Sequence, residues 1–196
     1  MKRRVGVLAL QGAFAAHALV LNELGAATVE VRTPADLDGL DALVMPGGES
    51  TTMSRLLETS ALFDPVAARI ADGLPVLGTC AGMILLATDV IDGRRDQRSF
   101  GAIDLVVRRN GYGRQIDSFE TDLDVQGMAA AGFEDKPFHA VFIRAPMVEK
   151  AGSEVSVMSV YDGHPVLCRE GSVWAAAFHP ELSSDSRLHA MFLKEV

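Results

Sequence analysis

The sequence predicts an α/β protein with a mainly parallel sheet, helices on both sheet faces and an antiparallel extension. Three observations carry this expectation. Through the first half, short apolar runs alternate with helix-like stretches, the rhythm of right-handed strand–helix–strand crossovers. Beyond Phe100 the pattern changes to short strands with fewer helices. No internal repeat, low-complexity tract or linker interrupts the 196 residues, so one domain over 1–196 is expected.

The elements follow in order. Val5 to Leu10 is an unbroken apolar run and reads as a buried strand. Phe14 to Leu24 reads as a helix stopped by Gly25, and Thr28 to Arg32 as a second strand. Ala42 to Pro46 reads as a third strand closed by Gly47-Gly48, with Ser50 or Thr51 expected to cap the helix that follows. Pro75 to Gly78 predicts a fourth strand running into a helix from about Ala81 to Thr88. The second half predicts strands over Phe100–Val107, Ser118–Val125, His139–Ile143, Val155–Tyr161, Pro165–Arg169 and Val173–Phe178. Turns are expected at Asp162-Gly163 and Glu170-Gly171, and a last amphipathic helix from about Ser186 to Lys194.

Composition narrows the function classes. With 48% hydrophobic and 22% charged residues the chain has the balance of a folded protein. A net charge of -8 argues against a phosphate-backbone binder, so no nucleic-acid partner is expected. No apolar run approaches the ~20 residues that span a bilayer, and the segment after Met1-Lys2-Arg3-Arg4 is too short for a secretory core. A cytoplasmic protein without a membrane partner is expected. The two cysteines, Cys80 and Cys168, fit neither a disulfide scaffold nor a zinc cluster and are read as reduced thiols.

Their surroundings differ. Gly78-Thr79-Cys80-Ala81-Gly82 lies where a strand meets a helix and reproduces, with cysteine, the G-x-S-x-G nucleophile elbow. Small flanking residues permit the sharp turn, and a helix N-terminus favours thiolate. On this motif alone, a nucleophile and a buried structural cysteine are equal readings. Phe178-His179-Pro180-Glu181 follows the apolar strand Val173–Ala177, so a base at one strand end can reach a nucleophile at a neighbouring one. Glu181 is placed to orient the imidazole as the third member of a triad does. Pro46-Gly47-Gly48-Glu49-Ser50-Thr51 is again a strand-to-helix junction, where glycines let amides approach an oxyanion. No Gly-Lys-Ser/Thr follows, so it is not a Walker A loop. Cys168, in an apolar strand, reads as a core residue. His17, His139, His164 and His189 show no metal-ligand spacing and read as surface or satisfied side chains; neither a metal nor a cofactor is expected. The alternating stretch Glu120-Thr121-Asp122-Leu123-Asp124 reads as a half-exposed strand.

Taken together, the Gly-Gly loop, the cysteine elbow and His179-Pro180-Glu181 resemble class I, triad-type glutamine amidotransferases across essentially the whole chain. Leu10-Gln11-Gly12-Ala13, Gly47-Gly48-Glu49-Ser50-Thr51, Arg109-Asn110-Gly111-Tyr112-Gly113-Arg114-Gln115, Asp117-Ser118-Phe119-Glu120 and His179-Pro180-Glu181-Leu182 are similar to the glutaminase subunits of pyridoxal 5'-phosphate synthase. The resemblance implies a flavodoxin-like three-layer fold. It implies that Cys80 attacks the carboxamide of L-glutamine to form a glutamyl thioester, with His179 shuttling the proton and Glu181 orienting it. Amides of Gly47 or Gly48 and of Ala81 would form the oxyanion hole. Gly47, Gly48, Glu49, Arg109, Ile143 and Arg144 match glutamine-binding positions, and Gln11 is expected near an ammonia-accepting synthase subunit in a hetero-oligomer. Arg109 and Arg144 suit an amino-acid carboxylate, which guanidinium pairs bidentately; from the residues alone, solvated surface arginines are the simpler reading. One departure is visible: an acidic residue often precedes the histidine matching His17 in that family, whereas here it is Ala16.

Three rivals share parts of this pattern: a glutaminase serving another pathway, a stand-alone cysteine hydrolase, and a binding module that has lost the chemistry. The Arg109 to Glu120 segment argues against the first, since the shared chemistry does not demand it. The second needs no partner and should accept substrates beyond glutamine. Retention of Cys80, His179 and Glu181 together argues against the third.

Overall fold

The computed structural model describes residues 2–111 and 118–196. Tyr112 to Asp117, part of the family-like segment above, lies outside the described residues. In chain order the elements are β1 (Arg4–Leu8), α1 (Phe14–Glu23), β2 (Ala27–Val31), β3 (Ala42–Met45), α2 (Ser50–Thr59), α3 (Phe63–Ala71), β4 (Val76–Thr79), α4 (Ala81–Leu86), β5 (Ala87–Val90), β6 (Ile103–Arg108), β7 (Ser118–Leu123), β8 (Phe138–Ile143), β9 (Met147–Ala151), β10 (Ser156–Tyr161), β11 (His164–Glu170), β12 (Val173–Ala176) and α5 (Arg187–Leu193). Short 3₁₀ turns occupy Pro34–Leu37 and Pro180–Leu182.

Among the described residues the largest sheet has the order β10-β11-β12-β4-β3-β1-β2. Its five strands from β12 to β2 run parallel, and β11 and β10 add antiparallel to the β12 edge. The parallel part repeats the 2-1-3-4-5 order of doubly wound folds, in which ligands gather outside the carboxyl ends of the strands. β3, β4 and β12 are buried at every position, as expected of strands covered on both faces. The expected flavodoxin-like α/β fold with an antiparallel extension is therefore present. The remaining strands do not all join it: β5-β6-β9 form a second sheet and β7-β8 a ribbon.

Local signals explain most boundaries. α1 stops at Gly25, where φ is +90° and the amide donates to the Asn22 carbonyl at 3.0 Å. Asp162 and Gly163 both have positive φ and turn β10 into β11, and Gly171 does the same between β11 and β12. Other boundaries correct the sequence reading. The residue that caps α2 is Glu49, not Ser50 or Thr51: its carboxylate accepts from the amides of Thr51 at 3.1 Å and Thr52 at 2.7 Å, and Ser50 is already the first helical residue. α4 ends at Leu86 and not near Thr88, because the Phe100 and Ala102 amides capture the carbonyls of Leu85 and Leu86 and the chain turns into β5. α3 and β9 were not anticipated.

The second-half strands matter to the site because aromatic packing fixes them to the sheet. Phe138 and Phe142 of β8 lie 5.8 Å and 5.6 Å from the Phe178 ring, just past β12, and the His179 amide donates to the Val141 carbonyl at 2.8 Å. Ile143 and Arg144 are thus carried to the carboxyl ends of β4 and β12. All three phenylalanines are fully buried, so this junction is part of the main core.

At the start of α4, a Cβ on Gly82 would lie 2.2 Å from the Met45 carbonyl oxygen, and one on Gly78 would lie 2.7 Å from the Gly82 backbone. The glycines of the elbow are thus required by close backbone packing. Gly82→Ala is expected to destabilise the fold by roughly 1–3 kcal/mol, the usual cost of overpacking. Denaturant unfolding checks this; an unchanged midpoint would show that α4 moves off β3 freely.

Candidate active site

The carboxyl ends of β3, β4 and β12 meet around one thiol. After β4 the chain turns at Cys80, whose φ of +50° and ψ of -105° are a conformation that non-glycine residues rarely adopt. The turn is held by the Cys80 amide, which donates to the Ala176 carbonyl of β12 at 2.8 Å. It presents Sγ at the start of α4, where the Ala81 amide has no intrahelical acceptor. Sγ lies 3.9 Å from the Ile143 carbonyl oxygen.

His179 follows β12 and is 7% exposed. Pro180 begins the 3₁₀ turn that brings Glu181 back beneath the imidazole, so that Nδ1 donates to Glu181 Oε1 at 2.8 Å. That leaves the other ring nitrogen free for Cys80, which stands beside the imidazole against the same Gly47. Burial opposes charge on both groups but does not decide the outcome. For His179 the hydrogen bonds and charges of Cys80 and Glu181 outweigh it and raise the pKa well above the ordinary histidine value. For Glu181 the bonds and charges of His17 and His179 outweigh it and hold the carboxyl below the usual range. A buried carboxylate beside an imidazole that readily takes a proton is the electrostatics of a Cys-His-acid triad.

The Gly-Gly loop closes over this line. A Cβ on Gly47 would stand 2.3 Å from His179 Cε1 and 3.3 Å from Cys80 Cβ, so the loop passes against both reacting groups. Gly48, Glu49, Arg109, Ile143, Arg144 and Gln11 line a cavity of about 230 Å³ with Cys80 and His179. Gln11 accepts from the Glu49 amide through Oε1 at 3.0 Å, and the Ala13 amide donates to the Gly47 carbonyl at 3.3 Å. Arg109 donates to Glu49 Oε1 at 2.7 Å. Glu49 also caps α2, and although burial works against its charge, the bonds from Thr51 and Thr52 bring its pKa down to about 2.

The structure therefore brings together every residue that the sequence nominated for this site. It also adds some. Ser50 and Arg109 also line the cavity, and each has one side-chain polar atom, Oγ and Nε, buried without a partner. Asn110 and Ile84 complete the lining. The histidines expected as surface or satisfied side chains fall in both settings. His139 is exposed between Glu120 and Asp122, but His17 and His189 are fully buried directly behind Glu181, with His17 Nε2 3.2 Å from Glu181 Oε2. Cys168 is buried as expected, and desolvation pushes its thiol up to about 12. Among the described residues no cluster of three or more His, Cys, Asp or Glu side chains could hold a metal, and no helix is long and apolar enough to cross a membrane.

The chain is similar to known proteins over nearly its whole length. The model of the SNO glutamine amidotransferase family matches residues 7–196. Pyridoxal 5'-phosphate synthase subunit PdxT of Frankia alni is 56% identical over 190 residues, covering 97% of this chain and 93% of that one. The protein of the same name from Mycobacteroides abscessus is 52% identical over 196 residues, covering 100% and 98%. A solved structure described as a glutamine amidotransferase superposes with a TM-score of 0.90 at 45% identity, covering 97% of each chain.

A small alkylating agent such as iodoacetamide is expected to modify Cys80 and spare Cys168 in the folded protein at neutral pH. One thiol faces an open cavity beside an imidazole; the other is buried and protonated. Peptide mapping that found the label mainly on Cys168 would reverse the assignment.

Proposed function

The chain belongs to the SNO glutamine amidotransferase family, and from that premise we propose that it hydrolyses L-glutamine to L-glutamate and ammonia as the glutaminase subunit of a pyridoxal 5'-phosphate synthase. The observation that carries this reading is the Glu181-bonded imidazole of His179 standing beside the Cys80 thiol, at a cavity lined by Arg109 and Arg144. One glutaminase domain spans 1–196 in this reading, and a cytoplasmic setting suits it.

The steps follow from the geometry. The glutamine carboxylate pairs with the guanidinium groups, and its carboxamide reaches Cys80. Sγ attacks the amide carbon, and the carbonyl oxygen takes the negative charge, held by amides of Gly47 or Gly48 and of Ala81. His179, already protonated by taking the thiol proton, passes that proton to the nitrogen as the C–N bond breaks, and ammonia leaves. His179 then takes a proton from water, whose oxygen attacks the glutamyl thioester. The C–S bond breaks, glutamate departs and the thiol is restored. Glu181 keeps Nδ1 protonated throughout, so that the reacting lone pair always faces Cys80.

Ammonia would pass to the synthase subunit, and the reading places Gln11 at that contact. Residues 11–13 already hold the Gly47-Gly48-Glu49 backbone. A partner that displaces Gln11 would free one peptide to turn an amide toward the oxyanion, at the cost of the 3.0 Å hydrogen bond from the Glu49 amide to Gln11 and the 3.3 Å bond from Ala13 to Gly47.

Ammonia release at saturating glutamine, measured for the purified chain alone and with a stoichiometric synthase subunit, tests both parts. Cys80→Ala is expected to abolish release in either state. The wild-type chain alone is expected to be slower than the complex by up to roughly a hundredfold, the effect of one oxyanion donor. Gly48→Ala is expected to blunt the activation, because its Cβ would meet Gln11 Oε1 at 2.8 Å and Met53 Sδ at 3.1 Å. Full activity in folded Cys80→Ala would remove the nucleophile. An isolated chain as fast as the complex would favour a stand-alone hydrolase.

A further inference from the structure

Glu181 has two oxygens, and the triad uses one. Oε1 accepts from His179; Oε2 points the other way, into the protein, where both side-chain oxygens are out of reach of water. The group that meets Oε2 is His17 of α1, whose Nε2 lies 3.2 Å away with neither side chain exposed. The same nitrogen is 3.1 Å from Thr79 Oγ1, one residue before Cys80, and the line to Oε2 is oblique enough that Oε2 has no well-formed hydrogen bond. No other donor reaches that oxygen among the described residues. A small tilt of the ring completes the bond, and hydrogen bonds at catalytic sites commonly tighten only when substrate is bound.

Behind His17 stands a second ring. His17 Nδ1 is 2.9 Å from His189 Nε2, and His189, on α5, is also fully buried. This contact fixes the tautomers. If His17 keeps its proton on Nε2, facing Thr79 and Glu181, then Nδ1 must accept and His189 Nε2 must donate. His189 Nδ1 is then a bare acceptor, and it is indeed buried without a partner. The opposite arrangement would bury an orphan N–H at that position, which is the costlier defect. Burial is the main cause that brings the His189 pKa down to about 3, consistent with a neutral ring that donates from one nitrogen.

We propose that His17 is a positioning residue for the glutaminase reaction: its Nε2–H, oriented by His189, fixes the free oxygen of Glu181 and thereby the angle and tautomer of the His179 imidazole. The proposal rests on the triad reading above. It explains why a carboxylate with no access to water keeps its charge while its only other donor, His179, moves relative to Cys80 during the cycle. A carboxylate held at one oxygen alone would rotate or take up a proton, and either change releases His179 Nδ1–H from its partner. The three rings come from α1, from the segment after β12 and from α5, and α1 and α5 pack against each other, so the acid is backed by a pair of helices. The titratable groups facing this chain are His17 from α1, His189 from α5, His179 after β12 and, beyond His179, Cys80 at the elbow; Thr79 supplies the remaining polar contact.

The test uses the full chain with its synthase partner and compares wild type, His17→Leu, His17→Gln and Cys80→Ala across pH. Glutamine keeps an N–H near the position of Nε2, and leucine does not. His17→Leu is expected to lower kcat by roughly ten- to a hundredfold, the scale of one lost hydrogen bond to a charged group, with KM for glutamine nearly unchanged. The sign of the pH effect follows from the lost donor. Removing it favours protonated Glu181, so the acid limb of kcat/KM moves to higher pH in His17→Leu and returns toward wild type in His17→Gln. Should His17→Leu fail to fold, His17→Leu/His189→Leu, which leaves no orphan ring, takes its place with the same expectation. A folded leucine variant with the wild-type acid limb overturns the proposal, as does His17→Gln being as impaired as His17→Leu with no shift in either. Activity surviving in Cys80→Ala would instead show that the triad reading itself has failed.

Discussion

The backbone of Cys80 is the constraint on which the rest of the site depends. A φ of +50° with a side chain attached costs free energy on the order of 1–3 kcal/mol and persists only where the surroundings leave no alternative. Here they are supplied from three directions. The Cys80 amide is bonded to β12, Gly78 and Gly82 pass too close for any Cβ, and Gly82 rests on the last carbonyl of β3. Relaxing Cys80 would therefore separate β3, β4 and β12 at their carboxyl ends. Those are the ends that deliver the Gly-Gly loop, the thiol and the imidazole. Strain at one residue and convergence of three strands are the same structural fact.

A second constraint is the burial of charge. A carboxylate with no exposed surface is costly unless its oxygens are matched by donors, and Glu181 faces an imidazole on each side, bonded to His179 and close to His17. The proline at 180 limits how Glu181 can be placed relative to His179, which serves Oε1. Nothing in the local sequence serves Oε2. That donor comes from a helix more than 160 residues earlier in the chain, so the site could not be assembled from the β12 segment alone.

This difference also explains how much of the molecule was legible in the sequence. The parallel strands were readable because burial on both faces writes an unbroken apolar run, and the elbow because its glycines sit at fixed spacing. His179 and Glu181 were readable because they are neighbours in sequence. His17 and His189 carry no such mark. Their partners lie 62 and 172 residues away, and a buried histidine looks like any other in a sequence. The Glu49 cap was missed because Ser50 and Thr51 are stronger cap formers, yet the longer glutamate, one position earlier, reaches two amides at once. α4 was drawn too long because Leu86-Ala87-Thr88 contains no stop signal; the pairing of Ala87 with Ile103 ends the helix, and only tertiary structure supplies it.

The Arg109–Glu49 pair shows how the proposed substrate would enter without dismantling the cavity. At first sight the guanidinium is already occupied, since Glu49 holds one of its terminal nitrogens at 2.7 Å. Glu49 is nearly half exposed, however, and such pairs contribute about 0–1 kcal/mol, so the contact is weak competition. Glu49 is also fixed by Thr51 and Thr52 and keeps its place without Arg109. Arg109 Nε, meanwhile, is buried and unpartnered, as is Ser50 Oγ of the same lining. A guanidinium has five N–H donors in a fixed fork, so a glutamine carboxylate can pair with donors that Glu49 leaves free. In the proposed reading Glu49 then does three things by charge alone: it caps α2, anchors the loop that carries Gly47 and Gly48, and holds the arginine at the cavity lining.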